Sequence, residues 1–247
     1  MVTNLAYFFE TAKKVRGGRW VWVKDSNGES RNNILLGGTI ANPNKGFGHL
    51  WAGQLMQYTP SQPIIIFRSF KLQANAAANA TTIYLEGDGF SDAPEVGQYL
   101  MIAPDSTEVV TMTANTTSGA VTTTKTDYKG TYAKVTAVEY DEANKKFEVT
   151  LQNKLSTAQI TAGTILVEAD KDADTGNTGS TTVLCPKPNI FNEADRDMLP
   201  TEGYGFQNAN YSVSGVYNKQ AWIAKMQPLP KYVLALNKSL IDGIFWI

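Results

Sequence analysis

The sequence predicts a mainly β fold: a small barrel or sandwich built from two strand-pair repeats, with an extended amino-terminal arm and a mixed carboxyl-terminal segment. Three observations carry that expectation. Thr, Val, Ile and Tyr, which suit pleated surfaces, are plentiful, while lasting helical stripes are scarce. Two segments, TIYLEGDGFSDAPEVGQYLMIA and EVTLQNKLSTAQITAGTILVEA, match without a gap at a fixed offset of 66 residues. They align Ile83 with Val149, Leu85 with Leu151, Gly97 with Gly163, Leu100 with Leu166 and Ala103 with Ala169. Finally, KVTAVEYDEANKKFEVTLQ alternates on both sides of Glu142-Ala143-Asn144-Lys145 and reads as a hairpin.

Texture divides the chain into three. Residues 1–70 are an arm with a hairpin, suited to attachment or oligomerisation; RWVWVK alternates before Asp25-Ser26-Asn27-Gly28, and Asn-Gly supplies the positive φ of a tight turn. Trp20 and Trp22 share one face and Val21 and Val23 the other, so neither face is polar and a partner surface is expected to cover them. Residues 31–63 show no lasting period, as in an arm or binding segment. His49 sits in GFGHLWAG beside Phe47, Leu50 and Trp51, which reads as a packed or interface histidine. The expected interface residues are therefore Trp20, Trp22, Phe47, His49 and Trp51, together with Trp246 near the other end.

Residues 71–189 form the body. Each repeat unit is a strand, a polar crossing, a Gly that turns the chain, and a second strand, with Leu85, Leu100, Leu151 and Leu166 at equivalent inward positions. Between Thr107 and Thr136 stand 11 Thr in 30 residues without a Pro, a density of β-branching that suits exposed faces of antiparallel strands rather than a mucin-like stalk. In residues 190–247, YSVSGVYNKQAWIAKM reads as a paired strand interrupted at 217–219. Pro228 and Pro230 bracket a turn, and residues 232–237 suit a short helix. The closing Ile244-Phe245-Trp246-Ile247 is either a core strand or an intersubunit plug.

Composition removes several function classes. With 247 residues, 43% of them hydrophobic and 26 aromatic, the chain can bury a full core. A formal charge of -1 offers no field for a chain of phosphates, so nucleic acid is not an expected partner. No apolar run is long enough to cross a bilayer, and MVTNLAYFFETAKKVRGGRW places its charges after the apolar patch, so a soluble, unsecreted chain is expected. One Cys and one His make neither a disulfide framework nor a Cys/His zinc site. Cys185, in TTVLCPKP, reads as a small hydrophobe on a buried strand. The run from Asp170 to Gly176 begins like a calcium loop, but its Gly falls one place late and Thr181 stands where the closing Glu belongs, so neither metal nor cofactor is expected. Charge is uneven: Lys13, Lys14, Arg16, Arg19 and Lys24 face only Glu10 in the first 24 residues, whereas residues 85–110 hold six acids and no base. These are complementary docking fields or ordinary solvated faces.

The order FRSFKLQANAAANATTIYLE, VGQYLMIAPDS, KVTAVEYDEANKKFEVTLQ, AGTILVEADKD and TTVLCPKPNIF, closed by an LP-containing segment and an aromatic-aliphatic end, resembles the head-fibre and capsid-decoration proteins of tailed bacteriophages from about Ile64 onward. That resemblance implies a non-catalytic structural protein on the outside of the virion capsid. It would be made in the host cytoplasm, trimeric with itself and seated on the major capsid protein or another virion protein. The Trp-rich arm and the acidic insertion after Ala169 depart from the pattern. Two other readings stand beside it. One is a carbohydrate-binding or adhesive β-module taking a host-surface glycan on Trp20, Trp22, Trp51 and Tyr58; the other is a hydrolase or lyase using Asp195, Asp197 and Glu202.

Overall fold

A computed structural model describes residues 33–38, 49–50, 54–59, 61–87, 93–170, 179–192, 196–197, 211–216 and 227–236. It is mainly β, with 47% strand and 4% helix, and its sheets are antiparallel. The strands before the body are β1 (Asn33–Gly38), β2 (His49–Leu50), β3 (Leu55–Gln57) and β4 (Ile65–Ile66). Those of the body are β5 (Ser69–Lys71), β6 (Thr82–Glu86), β7 (Tyr99–Ile102), β8 (Glu108–Ala114), β9 (Val121–Asp127), β10 (Gly130–Asp141), β11 (Lys146–Leu151), β12 (Ile165–Glu168) and β13 (Ser180–Thr181). After them come β14 (Ile190–Asn192), β15 (Arg196–Asp197), β16 (Tyr211–Val216) and a short helix, α1 (Lys231–Leu236).

One sheet, ordered β1-β16-β14-β3-β4, is woven from the two ends of the chain, with β1 and β16 in register from Asn33↔Val216 to Gly38↔Tyr211. The stretch 31–63, read from sequence as irregular, thus contributes strands. At two and three residues β2 and β3 are too short to display an alternation, β1 closes on two glycines, and the partner strands β16, β15 and β14 lie more than a hundred residues away.

The larger sheet runs β5-β12-β7-β10-β11-β6, with β13 beside β10. It consists of two interlocked three-stranded units, β5–β6–β7 and β10–β11–β12. In the first, β7 holds Leu100 opposite Ala133 and Met101 opposite Tyr132; in the second, β12 holds Leu166 opposite Phe70 and Val167 opposite Ser69. A third strand therefore belongs to each repeat, at an offset of 63 rather than 66. Residues at matching positions face each other directly at Ile83↔Val149 and Met101↔Val167, which is the relation a local twofold produces. The two turning glycines adopt positive φ, 94° at Gly97 and 85° at Gly163. Each donates its N–H at 2.8 Å to the matching residue of the other unit's first strand or its extension, Val135 and Leu72 respectively. A side chain is strained in that backbone region, which explains why glycine recurs there.

Side chains alternate across this sheet, and its central strands β7 and β12 are buried on both faces. The inner cluster gathers Leu85, Leu100, Leu151 and Leu166, none more than 3% exposed, with Phe70, Val135 and Phe147. The outer cluster sets Tyr99, Met101, Tyr132 and Val167 under Leu55, Phe67, Cys185, Tyr232 and Val233. The 227–236 segment is pinned there by Gln227 Nε2 to the Phe67 carbonyl at 3.3 Å, Ser69 Oγ to the Pro228 carbonyl at 2.5 Å, and Tyr232 Oη to the Cys185 carbonyl at 3.1 Å. Two expectations are corrected. The described strands do not make a closed barrel: β5 and β6 end the path, and one isolated bridge, Leu72↔Leu85, links those ends. Cys185 is buried but lies in irregular chain, two residues after the single bridge Val183↔Ala169, because Pro186 follows it and offers no donor to a ladder.

Candidate functional site

Between the two units the chain leaves the body as the β8–β9 ribbon, paired over seven positions from Glu108↔Asp127 to Ala114↔Val121. All residues of both strands are exposed, so neither face packs on the body. Its Thr content agrees with the exposed antiparallel strands expected from the sequence, and both faces of the ribbon are solvated. Period two sorts the side chains. One face carries Val109, Thr111 and Thr113 opposite Thr126, Thr124 and Thr122; the other carries Val110, Met112 and Ala114 opposite Lys125, Thr123 and Val121. Val110, Met112 and Val121 are 49%, 71% and 62% exposed.

Both ends of the ribbon are fixed. At the tip, Asn115 Oδ1 accepts from the N–H groups of Thr117 and Ser118 at 2.9 and 3.1 Å, and Gly119, at φ 67°, donates to the Asn115 carbonyl at 2.9 Å. An Asn that caps its own turn in this way preorganises the loop. At the root, Tyr128 N–H reaches the Thr107 carbonyl at 2.8 Å and Lys125 Nζ lies 3.3 Å from Glu108 Oε2. Beside the root opens a cleft of about 330 Å³ lined by Gln57, Glu108, Asp127, Tyr128, Asp170 and Lys187 among others. Gln57 Oε1 there accepts from the Lys187 N–H at 2.8 Å, which fixes the cleft floor.

Other groups with chemical potential are occupied structurally. Arg68, at the joint of β4 and β5, is buried; its Nη2 donates to the Ala93 carbonyl at 2.7 Å, lies 3.5 Å from Glu95 Oε1, and its guanidinium stands 5.7 Å from the Phe70 ring centroid. The six acids of residues 85–110 are largely spoken for: Glu95 by Arg68, Glu86 by Lys71 at 2.8 Å, Glu108 by Lys125 and Asp105 by Lys231 at 3.2 Å, while Asp88 and Asp92 lie outside the described residues. An acidic docking field is thereby mostly neutralised within the chain. Burial, and next to it the Glu168 carboxylate, push the Cys185 thiol well up, so the nucleophilic thiolate is disfavoured. Burial likewise pushes the Tyr232 phenol up.

Of the interface residues expected from sequence, Trp20, Trp22, Phe47, Trp51 and Trp246 lie outside the described residues, as do Asp195, Glu202 and the 171–178 part of the acidic insertion. His49 lies on β2, whose backbone pairs with β15 so that His49 is in register with Asp197 and Leu50 with Arg196. Among the described residues no cluster of His, Cys, Asp or Glu is gathered for a metal ion, and no helix is long and apolar enough to cross a membrane. The ribbon went unrecognised as a site, although its sequence signal is plain: residues 109–124 contain no Asp, Glu, Lys or Arg. Comparison with known proteins gives no match, whether to a family model, a curated protein or a solved structure.

Proposed function

We propose that this chain is a structural protein of the virion, carried on the outside of a tailed-phage capsid as a head fibre or decoration protein, non-catalytic and working as a homo-oligomer. The reading rests on the resemblance in the β-body, and one observation supports it most: a duplicated, doubly buried β-body extends a fully exposed ribbon whose faces and edges suit contact with other protein chains. In this reading the assembly is a trimer, and the basic aromatic arm holds the major capsid protein. Mass analysis of purified particles tests it: the chain is expected in many copies per particle, and its absence would sink the proposal. Deleting residues 1–32 retains all described strands and is expected to abolish attachment, whereas deletion through residue 63 would strip Leu55 and Met56 from the core.

A second reading, a carbohydrate-binding module, is favoured by the root cleft, where the Tyr128 ring stands beside Gln57, Asp127 and Asp170. A glycan array distinguishes it: retained saccharide that is lost on Asp127→Ala would support it.

A further inference from the structure

We infer that the β8–β9 ribbon is the surface through which copies of this chain associate, its Val110, Met112 and Val121 face packing against the same face of a second copy. The inference rests on the homo-oligomer reading and adds the contact surface to it.

A two-stranded ribbon with both faces in water is marginal by itself, yet this one keeps regular pairing over seven positions and is secured at tip and root. Such order in an unsupported element is what a further layer or strand would complete. On the apolar face Met112 and Val121 are diagonal neighbours across the ladder, and Val110 lies two residues along the same strand, so the three form one continuous stripe.

Charge identifies the occupant. Exposed edges are ordinarily defended by Lys, Glu or Pro, and residues 109–124 contain none of these. A partner selected by charge, such as a nucleic acid, an anionic lipid surface or a basic protein patch, finds nothing to grip. An identical ribbon, uncharged from 109 to 124, meets no like-charge repulsion over that length and offers a matching apolar stripe. The ribbon's charges, Glu108, Lys125 and Asp127, are confined to its root, where Lys125 already neutralises Glu108. The surface is thus complementary to itself.

The test uses the full chain. Light scattering at micromolar concentration is expected to show an oligomer, and the double variant Met112→Asp/Val121→Asp to fall to the mass of one chain, 27.0 kDa, with an unchanged melting temperature. Met112→Cys is expected to form a reducible cross-link between chains, with Cys185 too deeply buried to compete; this arm still reports if the double variant fails to fold. An oligomer that survives the double substitution, or that gives no Met112→Cys cross-link, overturns the ribbon assignment and leaves the oligomer reading standing. A monomeric parent chain overturns both.

Discussion

The two units of the body, β5–β6–β7 and β10–β11–β12, share an interior and differ outside it. Facing inward, Leu72 corresponds to Val135, Ile83 to Val149, Leu85 to Leu151 and Leu100 to Leu166, all buried. Away from that interior, correspondence fails. The position before β5 is the buried Arg68, whereas its counterpart is the exposed Thr131; Ser69 bonds to the Pro228 carbonyl, whereas Tyr132 stacks edge-on against Tyr99 at 5.7 Å. Mutual burial constrains the shared side chains because each unit covers the other there. The outward positions of both units instead share one cluster with Leu55, Phe67, Cys185 and α1, which are not duplicated, so the two units meet different side chains there.

Several substitutions break or sharpen this contrast. The largest effect is expected at the asymmetric pair: Arg68→Ala leaves Glu95 buried without its cation and should cost about 3–5 kcal/mol, whereas Thr131→Ala should change stability by no more than about 0.5 kcal/mol, both read from urea melts. Equal costs would mean that the two joints are not distinguished by burial. Next come Leu100→Ala and Leu166→Ala, each expected to cost about 2–5 kcal/mol and to agree closely with one another; a negligible loss at either would refute the equivalence. Gly163→Ala should lose about 1–2 kcal/mol through the positive φ alone, since nothing lies within 4 Å of a Cβ built there, and Gly97→Ala, at a φ of 94°, should lose at least as much.

Smaller again is Glu86→Gln, which removes the exposed Lys71 pair and makes the position resemble its counterpart Gln152. Its cost should stay below about 1 kcal/mol and vanish in high salt. The last concerns the β10–β11 turn, where the Asn144 side-chain amide and then its backbone N–H hold the Asp141 carboxyl below its usual range. A lowered folded-state value stabilises above the unfolded value and is lost as pH falls through the folded one. Thermal melts of Asp141→Ala and the parent should therefore converge in strong acid, with a difference as modest as expected for an exposed group.

How much of this was legible follows from the chemistry of each region. Strands β6, β7, β11 and β12 stand out in the sequence because the spacing from β6 to β7 equals that from β11 to β12, and because a glycine was required at the same turn in both. Strand β10 was legible as one arm of the hairpin before β11, but its kinship with β5 stayed hidden: the second unit has three extra residues between its first and second strands, and Phe70 corresponds to Ala133, so neither spacing nor identity betrays it. Burial of Cys185 could be read from its apolar neighbours, but its lack of a ladder depended on where Ala169 and Val183 meet. At the candidate site, threonine density announced exposure. That both faces are exposed could not be read, because alternation shows what a strand offers and never what covers it.

Strands β7 and β10 are adjacent and antiparallel, with Met101 opposite Tyr132, so the points where the ribbon leaves and rejoins the body are about one strand spacing apart, roughly 4.8 Å. A short hairpin turn could span that gap. The ribbon itself, residues 108–127, is consequently surplus to closing the body, a graft whose length and sequence can drift or be exchanged while the doubled core is kept. Whatever diversity this molecule acquires on its exposed side can accumulate there at little cost to its ability to fold.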